Sequence, residues 1–184
     1  MIICILAFMK KILTIALFLF ISAASFAQRQ TLAKCFLSLE PPAGWIKKEQ
    51  TDSVSGEYTC TFLGDTVSAK PALAFFPPLN LKTTFIDTSV VDAKTLCTFF
   101  AKEFPGMSKG YVQIGQVQEM NLDNKKIYKL EYTIPKDGVT NHLITFFYDS
   151  GLYSVSMISL IDTEADYTKH VRAFNAAIGS IKFL

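Results

Sequence analysis

Histidine is nearly absent from this chain, with only His142 and His170 among 184 residues. Neither stands in a Cys-x-x-Cys, His-x-His or His-Glu-x-x-His spacing, so no metal-ligand set can be built from sequence neighbours. A Gly-x-Ser-x-Gly elbow, a phosphate-cradling P-loop and a dinucleotide fingerprint are all missing too. These absences leave no catalytic residue, no cofactor and no metal to assign, and the expectation is that the chain is not an enzyme. Both histidines read as hydrogen-bonded structural residues. Cys97 lies on an apolar helical stripe, where a thiol is buried and inert rather than nucleophilic.

An excess of charge of either sign is also lacking. Of 18 Lys and Arg, Lys10 and Lys11 fall in the N-terminal leader described below, which leaves 16 against 16 Asp and Glu. A domain of net charge near zero has no basic face for phosphates, which excludes nucleic acid as a partner. No apolar run is long enough to span a bilayer. Residues 12–21 form the longest, and a helix needs about 20 such residues to cross about 30 Å of hydrocarbon.

That apolar run has a different meaning. Lys10 and Lys11 form a positive n-region, Ile12 to Ile21 an h-region, and Ser25-Phe26-Ala27 a small-x-small cleavage site. Residues 1–27 therefore read as a secretory signal peptide, with the mature chain starting at Gln28. Met1 to Phe8 are apolar and precede the lysines, against the usual order, so Met9 is the expected initiator. The expected address is periplasmic or secreted, without a stable membrane span after cleavage.

Residues 28–184 are one domain's length of chain, with no repeat or linker. Cys35, Cys60 and Cys97 remain in it. A Cys35–Cys60 bridge between neighbouring N-terminal strands is one reading, three buried thiols acting as small apolar residues the other. Strands are expected at 35–40, at 58–63, and at 72–76 closed by Pro77-Pro78. Between 89 and 104, Ala93, Leu96, Cys97, Phe100 and Phe104 recur at helical spacing. Asp87, Thr88 and Ser89 offer cap oxygens, and Pro105-Gly106 is the expected stop.

Four strands follow, at about 111–120, 126–134, 139–148 and 152–160. Turns are expected at Asp123-Asn124, Lys136-Asp137-Gly138 and Asp149-Ser150-Gly151. In these strands both alternating sets are apolar, so something must cover both faces. Asp162 and Thr163 then open a second helix, in which Tyr167, Val171, Phe174, Ile178 and Ile181 form a stripe. The expected class is α+β: an α/β/α sandwich, with a four-strand antiparallel meander between helical layers.

Phe36-Leu37-Ser38-Leu39, then Pro42-Ala43-Gly44-Trp45, and the ending Phe174-Asn175-Ala176-Ala177-Ile178-Gly179-Ser180-Ile181-Lys182-Phe183 carry a resemblance. With a meander before the last helix, the chain resembles the Mog1/PsbP-like fold, which includes the DcrB-type periplasmic proteins, over residues 35–184. The resemblance implies an accessory or binding protein; members act on photosystem II or on a small GTPase. No photosynthetic motif is present, and an exported protein does not meet a nuclear GTPase.

Trp45, the sole tryptophan, is either a contact residue or a core plug behind the Pro-Gly turn. Phe76 is the end of a strand or part of an apolar lip, and Phe99 lies beside the polar face of the first helix. These three form the candidate binding surface. Two functions are expected from different classes. One is a non-catalytic accessory domain that binds a protein of the cell envelope. The other is a carrier for a small apolar ligand, motivated by the aromatic content and the doubly apolar sheet.

Overall fold

The computed structural model describes residues 28–53, 56–65, 67–84 and 92–184. The leader and Asp87 to Ser89 lie outside the described residues. Eleven strands are described: β1 Gln30–Leu32, β2 Leu37–Leu39, β3 Ile46–Thr51, β4 Tyr58–Leu63, β5 Ala72–Asn80, β6 Val112–Gln113, β7 Gln118–Leu122, β8 Lys125–Lys136, β9 Val139–Gly151, β10 Ser154–Thr163 and β11 Lys182–Phe183. The helices are a single turn, α1 Leu81–Thr84, then α2 Ala93–Met107 and α3 Glu164–Gly179.

The main sheet has eight strands in the order β3-β4-β5-β10-β9-β8-β6, with β7 also on β8, and every pairing is antiparallel. It is larger than the expected four-strand meander, because β3, β4 and β5 extend it through the β5–β10 pairing. Residues 46–51 carry too many polar side chains to announce a strand. They form one because β4 offers a free edge.

A second sheet, in the order β1-β2-β11, ties the start of the domain to its end. The expected strand at 35–40 is divided accordingly. Ala33–Cys35 is a 3-10 turn and only Leu37–Leu39 is extended.

Alternation along the strands sorts the core into two layers. Ile127, Ile144, Phe146, Tyr148, Ile158 and Leu160 face α3 and the small sheet, packing on Phe174, Ala177, Ile178 and Leu37. Tyr128, Leu130, Tyr132, Phe147 and Val155 face α2, packing on Leu96 and Cys97. Helices cover both faces, as an apolar pattern on both sides of the sheet requires.

Five local expectations are corrected. Strand β5 runs through Pro77-Pro78 to Asn80. The register against β10 shifts there, from Phe76↔Met157 to Leu79↔Val155, while β4 pairs only residues 72–75. The prolines sit at a bulge with one neighbouring strand, where no N–H is demanded of them.

Helix α2 begins later than expected, with Asp92 as N-cap accepting from Thr95 N at 2.7 Å. It also continues to Met107 through Pro105. Phe104 holds that last turn by stacking on Tyr111 and Tyr132, with centroids 6.0 and 5.8 Å away.

The third hairpin turns at Leu152-Tyr153, not at Asp149-Ser150-Gly151, which belongs to β9. Asp149 is held in the strand by accepting the Ala93 N–H at 2.9 Å, which docks the start of α2 on the sheet. Helix α3 ends at Gly179, so Ile181 is buried just beyond it. Thr163 caps α3 as expected, accepting from Asp166 N at 3.1 Å.

Candidate functional site

Trp45 stands where a short turn brings β2 into β3. Pro41 and Pro42 follow the end of β2, and Trp45 N donates to Pro42 O at 3.2 Å. Gly44 takes φ +80°, a conformation that a side chain disfavours. The turn is fastened to the end of α3, since Glu40 N donates to Ser180 Oγ at 2.8 Å. Arg29 holds the Glu40 carboxylate at 3.1 Å.

A cleft of about 430 Å³ runs between this turn and the helix. Pro41, Pro42, Ala43 and Trp45 form one wall, Ala173, Ala176 and Ala177 the other. The indole meets Phe174 edge-on, with centroids 5.5 Å apart. Its other flank passes Gly64, where a Cβ would come within 3.1 Å of the ring. Trp45 is half-buried: it plugs the end of the core and also lines an open apolar groove. Glu40 is the one ionisable residue among the lining residues, and its carboxylate is held by Arg29, so the groove offers contact area rather than chemistry.

The other two candidates lie elsewhere. Phe75 faces the α3 layer, so its neighbour Phe76 points to the opposite face of β5 and is half-buried. Phe99, on α2, is 36% exposed and sits edge-on to Phe100 at 6.3 Å. Trp45 belongs to one face of the sheet and α2 to the other, so the three residues do not form one patch.

Both histidines pair with carboxylates near the start of α3, His142 from β9 beneath it and His170 from the helix itself. His142 Nε2 lies 2.9 Å from Glu131 Oε1, and Lys129 Nζ lies 2.6 Å from Glu131 Oε2. The His142 ring stacks on Tyr167, centroids 3.7 Å apart. His170 Nδ1 lies 2.6 Å from Asp162 Oδ2, and the other Asp162 oxygen accepts from Thr163 N at 2.8 Å. Asp162 is only 2% exposed. Burial opposes ionisation of Glu131, but hydrogen bonds from Lys129 and His142 outweigh it and hold the carboxyl below its ordinary range.

Sequence reading expected hydrogen-bonded histidines but not their partners. Glu131 was legible in principle. A two-residue turn at Asp137-Gly138 pairs Thr133 with His142 and leaves Glu131 diagonal to it on the same face. The Asp162–His170 pair follows from how α3 leaves β10. Residues that could hold a metal do not cluster among the described residues.

All three cysteines of the described chain are free, buried thiols. Burial pushes Cys97 up to about 12. It also raises Cys35 to about 12, with help from nearby Cys60, and Cys60 to about 11. A thiol this hard to ionise is a poor nucleophile.

No protein-family model matches the chain, and no curated protein matches it in sequence. Solved structures do match in shape. Cyanobacterial PsbP (CyanoP) from Synechocystis sp. PCC 6803 superposes with a TM-score of 0.60 at 18% identity, over 87% of this chain and 94% of its own. LpqN of Mycobacterium tuberculosis, described as involved in cell envelope biogenesis, gives 0.52 at 14% identity, over 79% of this chain and 82% of its own. At such identities the likeness shows the fold alone, and that fold is PsbP/Mog1-like.

Proposed function

We propose that this chain is an exported, non-catalytic accessory domain that binds another protein of the cell envelope through the groove beside Trp45. The observation that carries the reading is the groove itself. A half-buried tryptophan faces small alanine side chains across an open, largely apolar cleft, with no activated nucleophile among the described residues. Tryptophan gives a large, rigid contact area, which is why it recurs at binding hot spots. The fold shared with CyanoP and with LpqN, an envelope-biogenesis protein by its description, supports the same reading. Among the described residues, no helix is long and apolar enough to cross a membrane. An enclosed carrier is less favoured, because Phe, Tyr and Leu side chains pack the space between the sheet and each helix.

The test is photo-crosslinking in cells from position 176, an exposed wall residue, with position 109 as a control away from the groove. One adduct formed from 176 and not from 109 is the expected result. Ala176→Lys, which leaves the core intact, should remove that partner without lowering the melting temperature. Equal labelling from both positions, or undiminished capture by Ala176→Lys, would overturn the groove assignment.

A further inference from the structure

The α2 face of the sheet is not covered to its end. Its helix-packed part stops at a row of hydroxyls, in which Tyr132 Oη lies 3.3 Å from Thr145 Oγ1 and Thr145 Oγ1 lies 3.1 Å from Ser159 Oγ. Beyond that row, towards the Asp137-Gly138 turn, Ile134, Leu143 and Ile161 are only partly buried and Val139 is exposed. On the opposite face of the same strands, Ile144 and Leu160 are buried. The uncovered side chains wall a cleft of about 470 Å³, a volume within the range of small-molecule sites.

The polar lining of this cleft is sparse and uneven. Lys70 and Lys136 bring two ammonium groups, and Asp137 brings the only carboxylate among the lining residues. Lys136 forms no ion pair among the described residues. Asn141 is 6% exposed, and its Oδ1 accepts from Lys70 Nζ. Its Nδ2 reaches the carbonyls of Ile134 and Val139 only at 3.4 and 3.5 Å, the outer limit of a hydrogen bond. A buried amide donor so weakly satisfied, beside two cations and above an apolar floor, suits an acceptor group attached to a hydrocarbon.

We propose that this cleft binds a small amphiphile with a single anionic head, of the alkyl carboxylate class. Its chain lies on Ile134, Leu143 and Ile161, and its head is received by Lys70, Lys136 and Asn141 Nδ2. The site is separate from the Trp45 groove and does not depend on it.

Decanoate below its micelle concentration is the probe, titrated into the 28–184 domain with amide shifts followed by NMR. Saturable shifts at residues 134, 139, 141, 143 and 161 are expected, and butyrate should give none. Decylammonium should bind about tenfold more weakly, as should decanoate to Lys136→Glu, the scale of one reversed charge contact. Val139→Asp, at an exposed position, should weaken decanoate similarly, and Ala176→Lys should not.

Equal affinity for decylammonium would overturn the anion assignment, as would indifference to Lys136→Glu. Absence of saturable decanoate binding would overturn the site itself. Binding of phosphatidylglycerol vesicles without decanoate would mean a lipid surface rather than a single amphiphile.

Discussion

The two faces of the main sheet are built from the same strands, yet they are closed differently. The α3 face is covered over most of its length by α3, the 3-10 turn and the small β1-β2-β11 sheet, and its cluster gathers side chains from both ends of the domain, with a polar cleft left open at Asp162 and His170. At its far end the two histidine–carboxylate pairs replace apolar contacts. The α2 face has chiefly one helix over β8 and β9, and past its hydroxyl row it stays open. An apolar strand pattern says that a face wants cover. How much of it is covered depends on the length and placement of the covering elements, and the uncovered remainder is where a ligand has room.

The sharpest test of this difference is truncation under each helix. Phe174 is fully buried and in contact with Trp45 and Tyr167. Phe174→Ala should cost about 3–5 kcal/mol, a large share of the roughly 5–15 kcal/mol that holds a domain together. Urea melts will show it as a strongly lowered midpoint, whereas exposed Arg172→Ala on the same helix should change stability by about 0.5 kcal/mol or less.

On the other face, Leu96→Ala should cost about 2–5 kcal/mol. Its cost should fall below that of Phe174→Ala, because the α2 layer is the smaller and more open one. If the order is reversed, the comparison between the faces is wrong.

The polar closure of the α3 face should respond to acid. The folded-state pKa of Glu131 is depressed, so its contribution is present above the ordinary glutamate value of about 4.3 and fades as pH falls through the folded value. Glu131→Gln should therefore lower the melting temperature near neutrality, and the gap from the unsubstituted protein should shrink in acid. A gap independent of pH would mean that the Lys129–Glu131–His142 set contributes through packing, not charge.

The smallest expected effect lies at the start of α2. Asp92→Ala removes the side-chain acceptor for Thr95 N and should cost about 0.5 kcal/mol. Asp149 still accepts the Ala93 N–H, so the loss should sit at the low end for a helix cap. Hydrogen exchange at Thr95 and Leu96 reports it directly.

Much of this architecture was legible in residue order. The period of Leu96, Cys97 and Phe100, and that of Phe174 and Ile178, marked the two long helices. Asp123-Asn124 and Asp137-Gly138 placed two hairpins, because successive residues at positive φ are tolerated mainly by Asn, Asp and Gly. The apolar pattern on both sides of β9 and β10 required layers on both faces. All of these are short-range signals, carried by local backbone preference and side-chain periodicity.

What only the tertiary structure decided depends on neighbours distant in sequence. Strand β3 exists because β4 has an edge, and Pro77-Pro78 stays in β5 because the sheet lacks a second partner there. Phe104 carries α2 past Pro105 because Tyr111 and Tyr132 come back to stack on it. The groove beside Trp45 forms because Ser180, 140 positions on, pins Glu40. The open cleft forms because the cover on that face leaves Ile134, Leu143 and Ile161 only partly buried. Periodicity records which side of a strand is apolar, but the extent of burial is set by chain closure over long separations, where no local pattern reaches.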